Sequence, residues 1–461
     1  MKYVSTRGNA EVLDFEDAVL AGLARDGGLY VPEVWPEFTD DEIADLAGLR
    51  YAEVAARVML PFTGGAIEFE ELRDLIDRAY ADFSHRAIVP VRQMTEDHWL
   101  MELFHGPTLA FKDLAMQVIG HLFDHILAKR DARVCIVGAT SGDTGSAAME
   151  AFKGRERADV FILYPHNRTS EVQRRQMTTP TEVNVHAIAV EGDFDDCQAL
   201  VKAMFNDHEF RDGMNLGAVN SINWARILGQ VVYYATTSVA LASTGPVNYS
   251  VPTVNFGDIF AGYVAKQMGF PIGRLLIATN ENDILHRTLQ TGRYEKAETT
   301  QTTSPSMDIQ VSSNFERLLF ELCGRDGKAV ASMMDDLAKT GAFSLSQGHL
   351  DHLHEDFDSA RIDGARVKAT IAGILSDTGM IIDPHTAVAV AAGQDWNVEG
   401  PVVSLSCAHP AKFPDAVKDA TGQIAELPPH MADLYEREER MTVLPNELAT
   451  IEAHIRSEAR T

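Results

Sequence analysis

Residues 1–95 carry a mainly helical pattern of apolar positions, broken by acidic turns such as FTDDEIADL, with little strand signal. From about residue 133 the pattern changes to short apolar runs alternating with amphipathic stretches, which predicts parallel strands joined by helices. The strand candidates are RVCIVGA (133–139), VFILYP (160–165), VNVHAIAV (183–190), VNYSVPTV (247–254), GRLLIATN (273–280) and VVSLSC (402–407). Helices are predicted over 144–153, 195–207, 221–243, 258–268, 314–323 and 365–379. The clearest one follows Lys112, where Leu114, Val118, Leu122 and Ile126 recur at steps of four and form one inward stripe. AETTQTTSPSMD (297–308) reads as a long loop, and the residues after PPH (428–430) as a charged, helical tail.

At 461 residues the chain exceeds one ordinary core, so two or three domains are expected. A composition of 45% hydrophobic and 23% charged residues is that of a soluble globular protein. The opening residues lack a basic segment followed by an apolar run, and the uncharged stretch between Arg226 and Asp258 is interrupted by polar residues and proline. Both point to a cytoplasmic protein with no membrane span. Cys135, Cys197, Cys323 and Cys407 form no CxxC and are expected to be reduced thiols. A formal charge of −27 argues against nucleic acid and anionic membrane as partners, so any anionic substrate needs local cations.

Three segments bear on chemistry. In HGPTLAFKD (105–113) a lysine lies between apolar residues and an amphipathic helix; partly desolvated, such an amine can attack a carbonyl, although a snorkelling surface lysine fits the local residues equally well. GATSGDTGSAA (138–148) joins a predicted strand to a helix, and its glycines let backbone N–H groups converge on an anion; it is not a Walker loop, since no GK[ST] follows. VPTVNFGDIFAGYVAKQMG (251–269) is a second turn of this kind. Each could be turn chemistry alone, but two anion cradles suit a substrate anion and a cofactor phosphate. HLDHLHED (349–356) gathers His349, His352, His354, Asp351 and Glu355, and is read as a solvated polar face rather than a metal site.

Taken together and in order, STRG, DGGLYVP, HGPTLAFKD, ATSGDTG, NSINWARILGQ, NFGDIFAGY, SPSMDIQVSSNFERLLFE, DPHTAVA and AHPAKF resemble the threonine synthase family over nearly the whole chain. The resemblance implies an α/β chain of fold type II pyridoxal phosphate architecture, similar to the tryptophan synthase β-subunit. It implies an N-terminal domain (1–95), a large cofactor-binding domain (96–132 and 235–427), a smaller substrate-side α/β domain (133–234) and a C-terminal helical tail (428–461). The implied reaction converts O-phosphohomoserine and water into threonine and phosphate, in a monomer or homodimer.

By the same resemblance Lys112 carries pyridoxal 5′-phosphate and moves protons, Asn255, Phe256, Gly257 and Asp258 hold the cofactor phosphate, and Asp143 lies near the 3′ oxygen. Ser141, Gly142, Thr144 and Gly145 face the substrate carboxylate, while Arg226, Asn314 and Arg317, with His105, Ser221 and Asn223, serve the substrate phosphate and its surroundings. Two positions depart from the family pattern. Cys407 stands where relatives place Thr or Ser against the pyridine nitrogen, a weaker contact that neighbouring Ser406 could take over. Val254 replaces a glycine before the phosphate loop, which a β-branched residue tolerates only if the backbone is already β-like. The rival readings are a related phospholyase, releasing a 2-oxo acid and ammonia, and a binding protein that has lost catalysis.

Overall fold

The computed structural model describes residues 1–241 and 245–460. The first eighty or so residues pack helices, among them Phe15–Ala21, Tyr51–Thr63 and Phe69–Ala79, around a two-stranded antiparallel ribbon of Tyr3–Ser5 and Tyr30–Pro32. In Tyr51–Thr63 the buried Val54, Ala55, Val58, Met59 and Phe62 recur at three- and four-residue spacing, which turns one face inward.

Two sheets follow. The larger has six strands in the order Phe357–Arg361, Ile272–Thr279, Val247–Pro252, Val402–Ser406, His98–Glu102, Val91–Gln93, parallel except for the final antiparallel pair. The smaller has five parallel strands in the order Thr442–Pro445, Val185–Glu191, Ala158–Pro165, Val134–Ala139, Leu216–Gly217. All eight residues of Ala158–Pro165 are buried, as expected of a parallel strand covered on both faces.

Each strand predicted from sequence is present, and each predicted helix lies within three residues of its expected start. The helix expected over 221–243 runs Trp224–Leu241, and positions 242–243 lie outside the described residues. The tail is not wholly helical. Thr442–Pro445 joins the smaller sheet beside Ile188–Glu191 before the helix Leu448–Glu458 buries Ile451 and Ile455. Its four residues hold only the short apolar stretch Val443–Pro445, none of it buried, and their pairing partner is remote in sequence, so local periodicity could not reveal this strand. HWLME and FDSAR were missed for a similar reason, being short and mixed in polarity.

The helix Lys112–Lys129 lies at the centre, between the helices Asp143–Phe152 and Trp224–Leu241. Glycine permits both approaches: a Cβ on Gly120 would stand 2.3 Å from the Ala151 carbonyl oxygen, and one on Gly229 2.8 Å from Ala115 Cα. Among the described residues no helix is long and apolar enough to cross a membrane.

The N-terminal segment is tied to the large sheet's side by charge. Arg7 makes two parallel bonds to Glu316, each 2.9 Å, and Thr6 Oγ1 donates to the same carboxylate at 2.7 Å. Glu316→Ala removes all three, at an expected cost of about 2–3 kcal/mol. A lower Tm and earlier proteolytic cleavage within the first thirty residues are the expected readouts; unchanged cleavage would mean the apolar core alone holds this segment.

Candidate functional site

The parallel strands deliver their C-terminal ends to one region, and the loops leaving them build the site. After His98–Glu102 the chain runs through Leu109, in the left-handed region at φ 63°, to Lys112 at the start of its helix. Two sets of bonds fix this loop. Asp113 accepts from Thr108 N (2.8 Å) and Oγ1 (2.6 Å), and Phe111 N donates to the Cys407 carbonyl (2.8 Å). The Lys112 ammonium therefore ends 3.1 Å from Asp143 Oδ2, in a side chain only 12% exposed, and not at the surface. Burial lowers the Lys112 pKa from its ordinary value, Asp143 opposes this, and the nearby Lys412 and Arg226 reinforce it.

Asp143 opens the helix Asp143–Phe152 and collects four donors. Oδ1 accepts from Gln173 Nε2 at 2.8 Å and faces Lys412 Nζ at 2.9 Å, whereas Oδ2 meets Lys112 and, at 3.4 Å, Ser306 Oγ. Burial would raise this carboxyl, but the two lysines and Gln173 outweigh it and hold Asp143 well below the usual carboxylate range. Lys412 has no exposed surface and also donates to the Thr108 carbonyl at 2.8 Å. Sequence reasoning quoted AHPAKF but assigned its lysine no role; an ammonium among apolar residues just past a strand end was the available signal.

The preceding loop is shaped by Thr140, whose Oγ1 accepts from Gly142 N and Gly145 N, both at 2.9 Å. Gly142 sits at φ 146°, and a Cβ there would fall 2.4 Å from Gln173 Cδ. Ser141 is exposed and Thr144 half-buried, and the N–H groups of Asp143 and Thr144 have no acceptor within their helix.

Across the site, Val247–Pro252 leads into the start of the helix Gly257–Gln267. The left-handed residue is Phe256 (φ 62°), its ring packed on Phe315 and Phe357, while Val254 has an ordinary negative φ and fits without strain. The Asn255 carbonyl accepts from Asn314 N at 3.0 Å, and Asn314 Nδ2 donates to the Ser221 carbonyl at 3.0 Å. Asp258 Oδ1 accepts from Tyr233 (2.6 Å) and Tyr234 (2.9 Å), its Oδ2 has no partner, and burial pushes its pKa up to about 6. Arg226 is buried with Nε and Nη1 unpartnered, and burial brings its pKa down to about 10. Its neighbour Ile227 reaches within 3.2 Å of the Cβ position of Gly257, which places this first turn against the loop.

Other expected site residues have different employment. Arg317 is fully buried and donates to the carbonyls of Tyr30 and Ile222 and to Asn314, so its guanidinium is a brace between three segments and not a free phosphate ligand. Asn223 caps the Trp224 helix, accepting from Ala225 N at 2.9 Å and donating to the Val19 carbonyl at 2.8 Å. The His105 ring lies 2.8 Å from Glu102 and packs on His85 and Phe104.

Ser406, the last residue of its strand, is buried and shares a hydrogen bond with Thr386 Oγ1 at 3.1 Å. Burial, reinforced by Asp258 and Asp383, raises the Cys407 pKa far enough that it remains a neutral thiol. DPHTAVA supplies a contact that sequence reasoning did not assign, in which His385 takes Asp383 Oδ1 at 2.9 Å on Nδ1 and accepts from Ser306 N at 3.3 Å on Nε2. Among the described residues no group of three or more His, Cys, Asp or Glu is placed to hold a metal ion.

A buried lysine, an unpaired buried guanidinium and two helix starts with free N–H groups suit a cofactor that bears both a carbonyl and a phosphate.

The family described as threonine synthase N terminus matches residues 2–80, pyridoxal-phosphate dependent enzyme matches 88–347, and threonine synthase, C-terminal, matches 386–455. Threonine synthase of Pseudomonas aeruginosa is 53% identical over 459 residues, covering 99% of this chain and 98% of that one. The crystal structure of PLP-bound threonine synthase from Brucella melitensis matches with a TM-score of 0.98 at 54% identity, covering 100% of both chains. Yeast threonine synthase gives 0.94 at 38% identity, covering 99% of this chain and 98% of that one. Human threonine synthase-like 2 is 36% identical over 456 residues, covering 96% of this chain and 94% of the other.

Thr140→Val leaves two buried N–H groups without an acceptor and is expected to cost about 1–3 kcal/mol in denaturant unfolding, whereas Thr140→Ser, which keeps the oxygen, should cost much less. Equal losses in both would show that the methyl group, not the oxygen, matters.

Proposed function

The chain belongs to the threonine synthase family, and on that premise we propose how its own residues convert O-phospho-L-homoserine and water into L-threonine and phosphate. It is a pyridoxal-phosphate-dependent lyase of fold type II. When bound, the cofactor supplies an electron sink for the charge left on the substrate as protons leave Cα and Cβ.

The residues present fit that group. Lys112 would hold its carbonyl carbon, the backbone N–H groups around Asn255, Phe256, Gly257 and Asp258 its phosphate, Asp143 its 3′ oxygen, and Cys407, a neutral thiol, its ring nitrogen. With its amine free, Lys112 would be the base that takes the Cα proton and later returns one, a transfer its position in the site would make intramolecular. Ser141, Gly142, Thr144 and Gly145 bind the substrate carboxylate at the start of the Asp143 helix. Arg226 binds the leaving phosphate, for which its unpaired Nε and Nη1 are suited. Asn314 and Ser221, bonded to each other, would tie the Asn255–Asp258 cradle to the segment that carries Arg226, while His105 and Asn223 position the surrounding segments.

The smaller domain (133–234) brings Asp143 and Arg226, and the large domain (96–132 and 235–427) brings Lys112, Asn255–Asp258 and Cys407; the N-terminal domain (1–95) and the tail (428–461) buttress them. Water must be excluded until phosphate has left, and the loop carrying Ser306, already in contact with Asp143, is placed to close over the site.

The observation that carries this reading is the buried Lys112–Asp143 pair at 3.1 Å, set between a strand-end loop and a phosphate cradle. Lys112→Ala should abolish the visible absorption band of the loaded enzyme and lower turnover at least about 100-fold. The parent should release threonine and phosphate in equal amounts; a 2-oxo acid and ammonia in place of threonine would move the assignment to the phospholyase. Arg226→Gln should raise KM for O-phosphohomoserine by roughly 10- to 100-fold, the loss of a charged hydrogen bond, while the visible band persists. Loss of the band would instead assign Arg226 to the cofactor phosphate.

A further inference from the structure

Asp143 faces two ammonium groups, although proton transfer at the substrate calls for one. Lys112 lies 3.1 Å from Oδ2 and Lys412 2.9 Å from Oδ1, so each carboxylate oxygen has its own lysine. Both lysines are shielded, and Lys412 completely so. Their chemical duties differ, because Lys112 must alternate between a charged and a neutral amine, whereas Lys412 is locked between Asp143 and the Thr108 carbonyl, 2.8 Å away. If Lys112 were the sole partner, each loss of its charge would leave a solitary buried carboxylate, which tends to take up the proton itself and so competes with the reaction.

We propose that Lys412 is the standing counterion of Asp143, a positioning residue that keeps this carboxylate ionised while Lys112 gives up and recovers its proton. Other charges bear on the pair from neighbouring elements. Arg226 of the Trp224 helix adds to the pull of Lys412 in lowering Lys112, and Asp258 of the Gly257 helix feels Lys112 in turn. Cys407 at the strand end is a neutral thiol, and Asp113, held by Thr108, is a further carboxyl that feels Lys412. Of these groups Lys412 is the one bonded to the same carboxylate as Lys112.

The sign of the effect follows from charge. Removing Lys412 takes a cation away from both Lys112 and Asp143, so each holds its proton to higher pH and the midpoint of the pair moves up. In the loaded Lys412→Gln enzyme, the pH titration of the visible band and the acid limb of kcat/KM should both move to higher pH by roughly one unit, while Lys412→Arg stays near the parent.

A folded Lys412→Gln enzyme with the parent's midpoint, or Lys412→Arg shifted as far as Lys412→Gln, overturns the proposal. Should Lys412→Gln not fold, the Asp143 carboxyl of the parent is followed by isotope-edited infrared spectroscopy across the same pH range: it should stay ionised on both sides of the band's midpoint, and uptake of a proton by Asp143 as Lys112 loses its charge overturns the proposal. The inference rests on Lys112 as the cofactor lysine, and persistence of the band in Lys112→Ala would break that reading separately.

Discussion

The site depends on keeping one carboxylate ionised where water cannot reach it. Asp143 is buried, and an ionised carboxylate there is tolerable only because Lys112, Lys412, Gln173 and Ser306 all address it. Those four come from four separate stretches of chain, so their convergence also fixes how the Lys112 loop, the helix Glu171–Thr178, the long loop and the segment after the last large-sheet strand sit together. Satisfying the charge and assembling the pocket are the same event.

A second constraint is the distribution of charge. The chain is strongly acidic overall, yet Lys112, Lys412, Arg226 and Arg317 are all withdrawn from the surface around the site. A doubly charged phosphate ester gains nothing from long-range attraction to such a surface, so its affinity has to arise at short range from a few desolvated donors. Arg226 keeps Nε and Nη1 without a partner, with the Asp258 carboxylate near enough to be felt, whereas backbone carbonyls claim Arg317.

Much of this was legible in the sequence. Several strands that build the site, Val134–Ala139, Val247–Pro252 and Val402–Ser406, are largely apolar and buried, and the glycine-rich turns after the first two could be placed because glycine marks both sharp turns and close backbone approach. Lys112 alone was ambiguous, and only its end point beside Asp143 distinguishes a buried amine from a snorkelling one.

What local pattern could not convey were contacts between distant residues: the bond from Lys412 to Asp143, Thr140 bridging two glycine N–H groups, His385 reaching Ser306, and the diversion of Arg317 into a brace. At Val254 the sequence left open whether the backbone suits a β-branched residue; the left-handed position of the turn falls two residues later, on Phe256.

The strand Thr442–Pro445 has a consequence for how the chain is made. It covers the outer edge of the smaller sheet, but its partner, Val185–Glu191, leaves the ribosome long before it, with the greater part of the large sheet still to be synthesised. Throughout that interval a row of unpaired backbone groups stands open on a nearly complete parallel sheet, the condition in which nascent chains pair with one another. Closing that edge late lengthens the window in which the nascent chain is open to such pairing.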